Sequence, residues 1–320
     1  MTALRFAVFG KSRLAAARCH AIADHAGTQI ARTWSAEDVA GFDDAAWQAA
    51  LDPDEIDAAV FALPADLAAK ASLAALRAGV HVLSELPGGQ SVEDIINLRE
   101  AERASRAILK FGCGLRYHDS VRAACDHIAA ASLGELLTAR AVYGHAGFPD
   151  KEAGQTGILA THGIHMLDML HLFCGPFEAV KAMRDDGPGG EANLFALLKS
   201  ARGSLAQLHS SATSWRQTFR LELGFEEGYV WLDGHLPGLE GYGPEMLIHA
   251  RIERDREGRP QPNPEEAVRE FSIAHTADEE LREFVEAVGG RAPLEHGTSH
   301  QAFDAMNIAQ RICAATETWA

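Results

Sequence analysis

The sequence predicts an α/β chain of two domains: a parallel sheet covered on both faces by helices, then an α+β domain built on an antiparallel sheet. Three observations carry this. Up to Gly112, short and nearly continuous apolar runs alternate with helical stretches, the pattern of strands buried on both faces. From Gly134 onward, strand-like runs follow one another through turn-rich connections, which suits antiparallel pairing. The chain has 320 residues, 47% of them hydrophobic, enough for two cores rather than one.

The run 4–9 (LRFAVF) ends at Gly10 and is followed by an Ala-rich helical stretch over 13–24, giving strand, turn and helix. Residues 28–34 (TQIARTW) read as a second strand, 43–51 as a helix and 56–63 (IDAAVFAL) as a third strand. A helix over 65–78 is closed by Gly79 before a strand over 80–84. A helix over 92–106 and a strand over 107–112 complete a first domain placed at residues 1–120. In the second, 121–320, strands fall at 136–143, 194–199 and 204–211. Its turns are the clusters 185–190 (DDGPGG) and 258–264 (GRPQPNP) and the step Glu226-Glu227-Gly228. A helix over 161–173 interrupts the sheet, and helices over 278–288 and 299–316 end the chain.

Lys and Arg total 29 against 45 Asp and Glu, a net charge of −16 that repels phosphate backbones and anionic headgroups. Neither nucleic acid nor membrane is expected as a partner. No run reaches the length of a membrane span, no leader is evident, and the five scattered cysteines, without C-x-x-C spacing, fit reduced thiols, so the expected location is cytoplasmic.

The turn after the first strand carries a candidate phosphate loop. In a G-x-G-x-x-G fingerprint the glycines serve the tight turn, the approach of backbone to pyrophosphate, and helix packing. Here Gly10, Ser12 and Ala15 hold those positions, with Arg13 and Leu14 between, so small residues still present N–H groups at a helix N-terminus. The bland alternative is a βα turn that binds nothing. An NAD site usually ends its second strand on a ribose-binding carboxylate. Arg32, Thr33, Trp34 and Ser35 stand there instead, and no carboxylate precedes Glu37. That favours NADP over NAD, with Arg32 or Arg13 near the extra phosphate and Trp34 against the adenine, or Trp34 as a strand-end core residue. Leu63 and Pro64, at the end of the third strand, are further candidate cofactor contacts.

Residues 81–92 (HVLSELPGGQSV) resemble the segment of the Gfo/Idh/MocA oxidoreductases that carries Glu-Lys-Pro at a strand end, with Glu85, Leu86 and Pro87 in those places. Residues 111–118 (FGCGLRYH) resemble the family's crossing to its second domain, and 159–175 (LATHGIHMLDMLHLFCG) its active-site helix. The resemblance covers essentially the whole chain. It implies an N-terminal Rossmann domain with a parallel sheet, followed by an α+β domain with a large, mostly antiparallel open sheet that makes homo-oligomer contacts, a dimer or tetramer. It also implies a small-molecule substrate such as a sugar or polyol, oxidised or reduced with NAD or NADP, and adds Glu85 and Leu86 to the cofactor contacts.

Two positions depart from the family. The Lys of Glu-Lys-Pro is Leu86, which makes no side-chain hydrogen bond. The Asp four residues before the family's catalytic His is Thr161, while the His remains as His165 and Asp168 matches another position often filled by Asp. Helical spacing puts Thr161, His162, His165 and Asp168 on one patch. His165 is the candidate acid–base residue, since an imidazole exchanges protons near neutral pH. Thr161, His162 and Asp168, with Arg116, Tyr117 and His118 after the last strand of the first domain, are candidate substrate contacts; structural roles are the alternative for each. Two other readings stay open. One is a non-redox lyase or hydrolase, with His162, His165 and His118 around a metal. The other is a non-catalytic sensor that keeps the scaffold without the lysine.

Overall fold

A computed structural model describes residues 3–146, 157–185, 191–234, 244–272 and 276–318. The chain divides into two compact units, one built on residues up to Gly114 with 276–307, the other on the described residues of 115–274 with 308–318.

The first unit opens with β1 (Leu4–Phe9), α1 (Arg13–Asp24) and β2 (Thr28–Trp34), then the short α2 (Ala36–Val39) and α3 (Asp44–Ala50). It continues through β3 (Ala58–Phe61), α4 (Ala65–Ala78), β4 (His81–Glu85), α5 (Val92–Ala104) and β5 (Leu109–Gly112). The sheet runs β2-β1-β3-β4-β5, every pair parallel. β3 and β5 are buried along their whole length, β3 as an unbroken apolar run and β5 with Lys110 buried and bonded to the His296 carbonyl at 2.6 Å. β2 is the edge and is largely exposed, so its polar residues face water rather than a helix layer. One face packs Phe6, Val8, Val60 and Leu83 against Ala15 and Ile22 of α1 and against Leu281, Phe284 and Val285 of α8 (Thr276–Val288). Near β2, Phe9 stacks on Trp34 at 4.6 Å and is flanked by Trp47 and Phe61. Ser35 and Ser91 open α2 and α5 with reciprocal capping boxes, which places both helix starts where polar side chains stand before apolar runs.

The second unit begins with a tight turn at Gly114–Tyr117 and α6 (Asp119–Ala130), a helix absent from the sequence reading. Its strands are β6 (Leu136–Ala146), β7 (Phe177–Arg184), β8 (Asn193–Ser200), β9 (Leu205–Ser211), β10 (Thr213–Phe225), β11 (Gly228–Gly234) and β12 (Glu245–Arg251). A two-residue ribbon, β13 (Glu253–Arg254) with β14 (Pro260–Gln261), precedes β15 (Ala267–Phe271). α9 (Ser299–Ala315) ends in β16 (Thr316–Thr318). Nine strands form one sheet, β15-β12-β11-β10-β6-β9-β8-β7-β16, antiparallel except at β6–β9 and β16–β7. Alternation along β8 sends Leu194, Ala196 and Leu198 inward and leaves Phe195 and Leu197 on an open face shared with Leu205 and Trp231.

Two expectations need correction. The helix placed over 161–173 starts with a π-turn, Leu159–Gly163, in which Ile164 N–H reaches back to the Leu159 carbonyl, and becomes α-helical only as α7 (Ile164–Cys174). The cluster 258–264 is interrupted by a short bridge, Pro260 and Gln261 pairing with Arg254 and Glu253, and bends again at 262–263, where Asn263 has φ of +55°. Glu226 and Glu227 do form a two-residue turn between β10 and β11. Of the cluster 185–190, residues 186–190 lie outside the described residues.

Candidate active site

In the first unit the strand order reverses at β1, which has β2 on one side and β3 on the other. A parallel sheet opens a crevice at the carboxyl ends of such strands. The loop after β1 fills that place. Gly10 has φ of +132°, its N–H donates to the Trp34 carbonyl at 2.7 Å, and a Cβ there would land on the Ala62 carbonyl. Only glycine fits this turn. Ser12 caps α1 by accepting from Ala15 N–H at 3.2 Å, Ala15 packs into the core, and Lys11, Arg13 and Leu14 are exposed. The first-turn N–H groups of Arg13 and Leu14 have no intrahelical acceptor and point to the positive end of a twelve-residue helix. This cradle fits a pyrophosphate.

The remaining cofactor candidates divide. Trp34 is half-buried, one ring face taken by Phe9. Arg32 is paired with Glu55 at the surface. Leu63 is buried, and Pro64 stands at the N-cap of α4 without a side-chain cap. Leu86 is buried after β4. Glu85 is committed elsewhere: its carboxylate accepts from Arg18 Nε at 2.7 Å, while Arg18 Nη2 reaches Glu280 at 2.6 Å and Glu280 accepts from Cys113 N–H at 2.5 Å. Burial opposes the Arg18 charge, but the two carboxylates hold its pKa above the ordinary arginine value. Backbone N–H and Ser35 hydrogen bonds hold Glu37 and Asp38 below the usual carboxylate range, and the ammonium of Lys11, which the sequence reading passed over, adds a smaller pull in the same direction.

In the second unit the predicted patch forms only in part. Asp168 follows His165 by three residues within the α-helical part of α7 and is engaged by Arg116. Its carboxylate takes a two-point grip from Arg116, Nε to Oδ2 at 2.7 Å and Nη2 to Oδ1 at 2.8 Å, and both side chains are buried. The π-turn adds a residue to one helical turn, so positions before Ile164 are rotated away from the face that α-helical spacing assigns them. Tyr117 is buried with the Arg122 guanidinium over its ring. His118 is buried with Nδ1 2.6 Å from Glu245 Oε1, and Ser120 donates to the other oxygen of that carboxylate. Arg116, Tyr117 and His118 therefore sit in the unit's interior rather than on its surface.

What does converge is Thr161, His162 and His165 with His145, a residue the sequence reading missed. His162 Nδ1 is 2.7 Å from Thr161 Oγ1, and its Nε2 meets His145 Nε2, the rings crossing at 74°. Tyr143 lies 5.6 Å from the His162 ring centre to centre. Burial, together with the charges that His145 and His165 would carry, pushes the His162 imidazole down to about 3. The available signal was the period of β6, where Ala139, Ala141 and Tyr143 are the buried alternate positions and His145 continues their side. Among the described residues no group of three or more His, Cys, Asp or Glu side chains is set to hold a metal, and no helix is long and apolar enough to cross a membrane.

Comparisons with known proteins agree with this division. Over 189 residues the chain is 31% identical to 1,5-anhydro-D-fructose reductase of Ensifer adhaerens, covering 55% of each protein. Over 147 residues it is 24% identical to levoglucosan dehydrogenase of Pseudarthrobacter phenanthrenivorans, covering 43% of this chain and 38% of that one. The chain thus spans about half the length, or less, of these curated relatives. A 3-ketoreductase from Actinomadura kijaniata, in complex with TDP-benzene and NADP, has the same fold over 99% of both chains, with a TM-score of 0.79 at 20% identity. A UDP-N-acetylglucosamine 3-dehydrogenase from Acidithiobacillus ferrooxidans shares it over 99% of this chain and 98% of its own, with a TM-score of 0.78 at 18% identity. Residues 5–113 match the family model for the NAD-binding Rossmann fold of an oxidoreductase family, and 121–231 match the Gfo/Idh/MocA C-terminal domain. The Gly10 turn lies within the first match and the helix that bears His165 within the second, and with both domains matched the chain belongs to the Gfo/Idh/MocA family.

Proposed function

We propose that this protein is an NAD(P)-dependent dehydrogenase or reductase acting on a sugar, polyol or related small polar molecule, with residues 1–120 as its nucleotide-binding domain. The observation that carries the reading is the Gly10 turn, which brings bare backbone to the crevice beside β1 in a chain of an oxidoreductase family. The curated relatives, a reductase and a dehydrogenase of anhydrosugars, support a sugar-like substrate. The nicotinamide supplies a hydride acceptor or donor when bound. The chain's own residues have the rest to do. Backbone N–H groups of Arg13 and Leu14 receive the pyrophosphate, and His165 exchanges the proton of the reacting hydroxyl or carbonyl.

NADP is the preferred cofactor in this reading. The exposed cations Arg13 and Lys11 stand at the loop, whereas Arg32 is already engaged by Glu55. Thr161 and His162 bear on substrate as neighbours of His165, and Leu86 leaves the proton-relay position of the family lysine to the histidines. The open sheet face with Phe195, Leu197, Leu205 and Trp231 fits a second copy of the chain, in a dimer or tetramer.

The test is a titration of the purified protein with NADPH and NADH, followed by quenching of tryptophan fluorescence. Saturable binding with NADPH the tighter ligand is expected; absence of binding by either nucleotide overturns the reading. His165→Ala then separates roles, since turnover persisting near the starting rate removes His165 as the acid–base residue.

A further inference from the structure

We propose that His145 is a positioning residue that carries the exchangeable proton of the histidine site and sets how readily His165 holds its own. This rests on the dehydrogenase reading, in which NAD(P) would supply the hydride chemistry when bound and His165 takes the hydroxyl proton of the substrate on oxidation and returns it on reduction.

The assignment follows from which atoms donate. Thr161 Oγ1 lies 3.2 Å from the Gly157 carbonyl and 3.4 Å from that of Ile158. With the hydroxyl's single proton given to one of these carbonyls, which can only accept, a lone pair faces His162 Nδ1 at 2.7 Å. His162 Nδ1 is then the protonated nitrogen, the arrangement we infer. A neutral imidazole has one N–H, so Nε2 accepts, and the atom facing it, His145 Nε2, donates. The proton at the centre of the pair belongs to His145.

The surroundings keep His162 neutral. The groups facing it are His145 and Tyr143 from β6, His165 from α7 and Thr161 from its own turn. β9 brings the Ser210 hydroxyl against Gly163 of the same turn. The carboxylate at the start of the turn, Glu191, accepts from Leu159 N–H at 2.8 Å and pairs with Arg184. Three imidazoles in one buried cluster share few protons, because a charge on one disfavours a charge on the next. A neutral, hydrogen-bonded His162 joins His145 to the cluster that includes His165.

The test is NMR of the full chain with 15N-labelled histidine, titrated from pH 8 to pH 5. The expected wild-type result is one imidazole, identified by its loss in His162→Gln, that keeps Nδ1 protonated and Nε2 bare throughout. In His145→Phe the midpoint of the His165 imidazole, identified by its loss in His165→Gln, should rise by at least about half a pH unit, with His145→Gln as the second variant that retains a donor. A wild-type His162 with Nε2–H, or an unchanged midpoint in both variants, overturns the proposal. NADPH affinity is read separately by fluorescence: its absence in the wild type removes the dehydrogenase reading while the histidine titration still decides this one. With an active substrate such as 1,5-anhydro-D-fructose, His145→Phe should displace the acid limb of the kcat profile, and an unmoved limb counts against the proposal.

Discussion

Removing the Asp168 carboxylate should damage the second unit's stability more than any exposed substitution. Arg116 grips Asp168 through two hydrogen bonds of 2.7 and 2.8 Å, with the residues only 4% and 5% exposed. In Asp168→Ala the guanidinium stays buried without its carboxylate, and breaking such a pair costs about 3–5 kcal/mol. At ~1.4 kcal/mol per tenfold, that is roughly two to four orders of magnitude in the unfolding equilibrium. Replacing both partners with apolar side chains, Arg116→Met with Asp168→Leu, removes the orphaned charge and should restore most of the loss. Equilibrium urea denaturation followed by circular dichroism measures all three variants. A cost below about 1 kcal/mol for Asp168→Ala, the value of an exposed pair, refutes the reasoning. So does a double variant no better than the worse single one. If Asp168 acts instead by touching substrate, the single variant loses turnover while its denaturation midpoint stays put.

Gly10→Ala should lower NADPH affinity at least about tenfold, because alanine disfavours φ of +132° and its Cβ meets the Ala62 carbonyl; wild-type affinity by fluorescence titration contradicts the loop assignment. Glu280→Ala should cost about 3 kcal/mol by leaving Arg18 only Glu85, and unchanged thermal unfolding would show the network to be dispensable. Stability should fall with acid. The folded His162 imidazole sits at about 3 and the unfolded one near 6.5, so between those values the unfolded state binds the extra proton. The contribution is complete above about pH 6.5 and has dropped by about 2 kcal/mol at pH 5. Burial depresses His81 and His127 in the same direction. A urea midpoint that is flat from pH 7 to pH 5 would contradict this.

The first sheet was legible because β1, β3 and β4 are short, mostly apolar runs separated by helices and glycine turns, with burial on both faces keeping polar residues few and near the strand ends. α6 was not legible. Its twelve residues are amphipathic with a helical period, but the buried positions, Ser120, Val121 and Ala124, are small and partly polar, so the stripe lacks the large apolar residues that draw notice. The turn after β1 was legible because glycine, serine and alanine act there through their size and their backbone, and both are local.

The sequence by itself determined the parallel-then-antiparallel order of the chain, the glycine that turns after β1, and the helix that bears His165. Only the tertiary structure decided what the charged groups do. Glu85 meets Arg18 from 67 residues away and Asp168 meets Arg116 from 52, so each buried charge found its partner through the fold and not through any spacing along the chain. The π-turn turned Thr161 and His162 off the α-helical face, and the sheet brought His145 to them. Apolar periodicity reports which side of an element is dry. Which ionisable groups share that dry side is set by the packing of elements distant in sequence, because a buried charge or imidazole persists only where another element supplies its hydrogen bond.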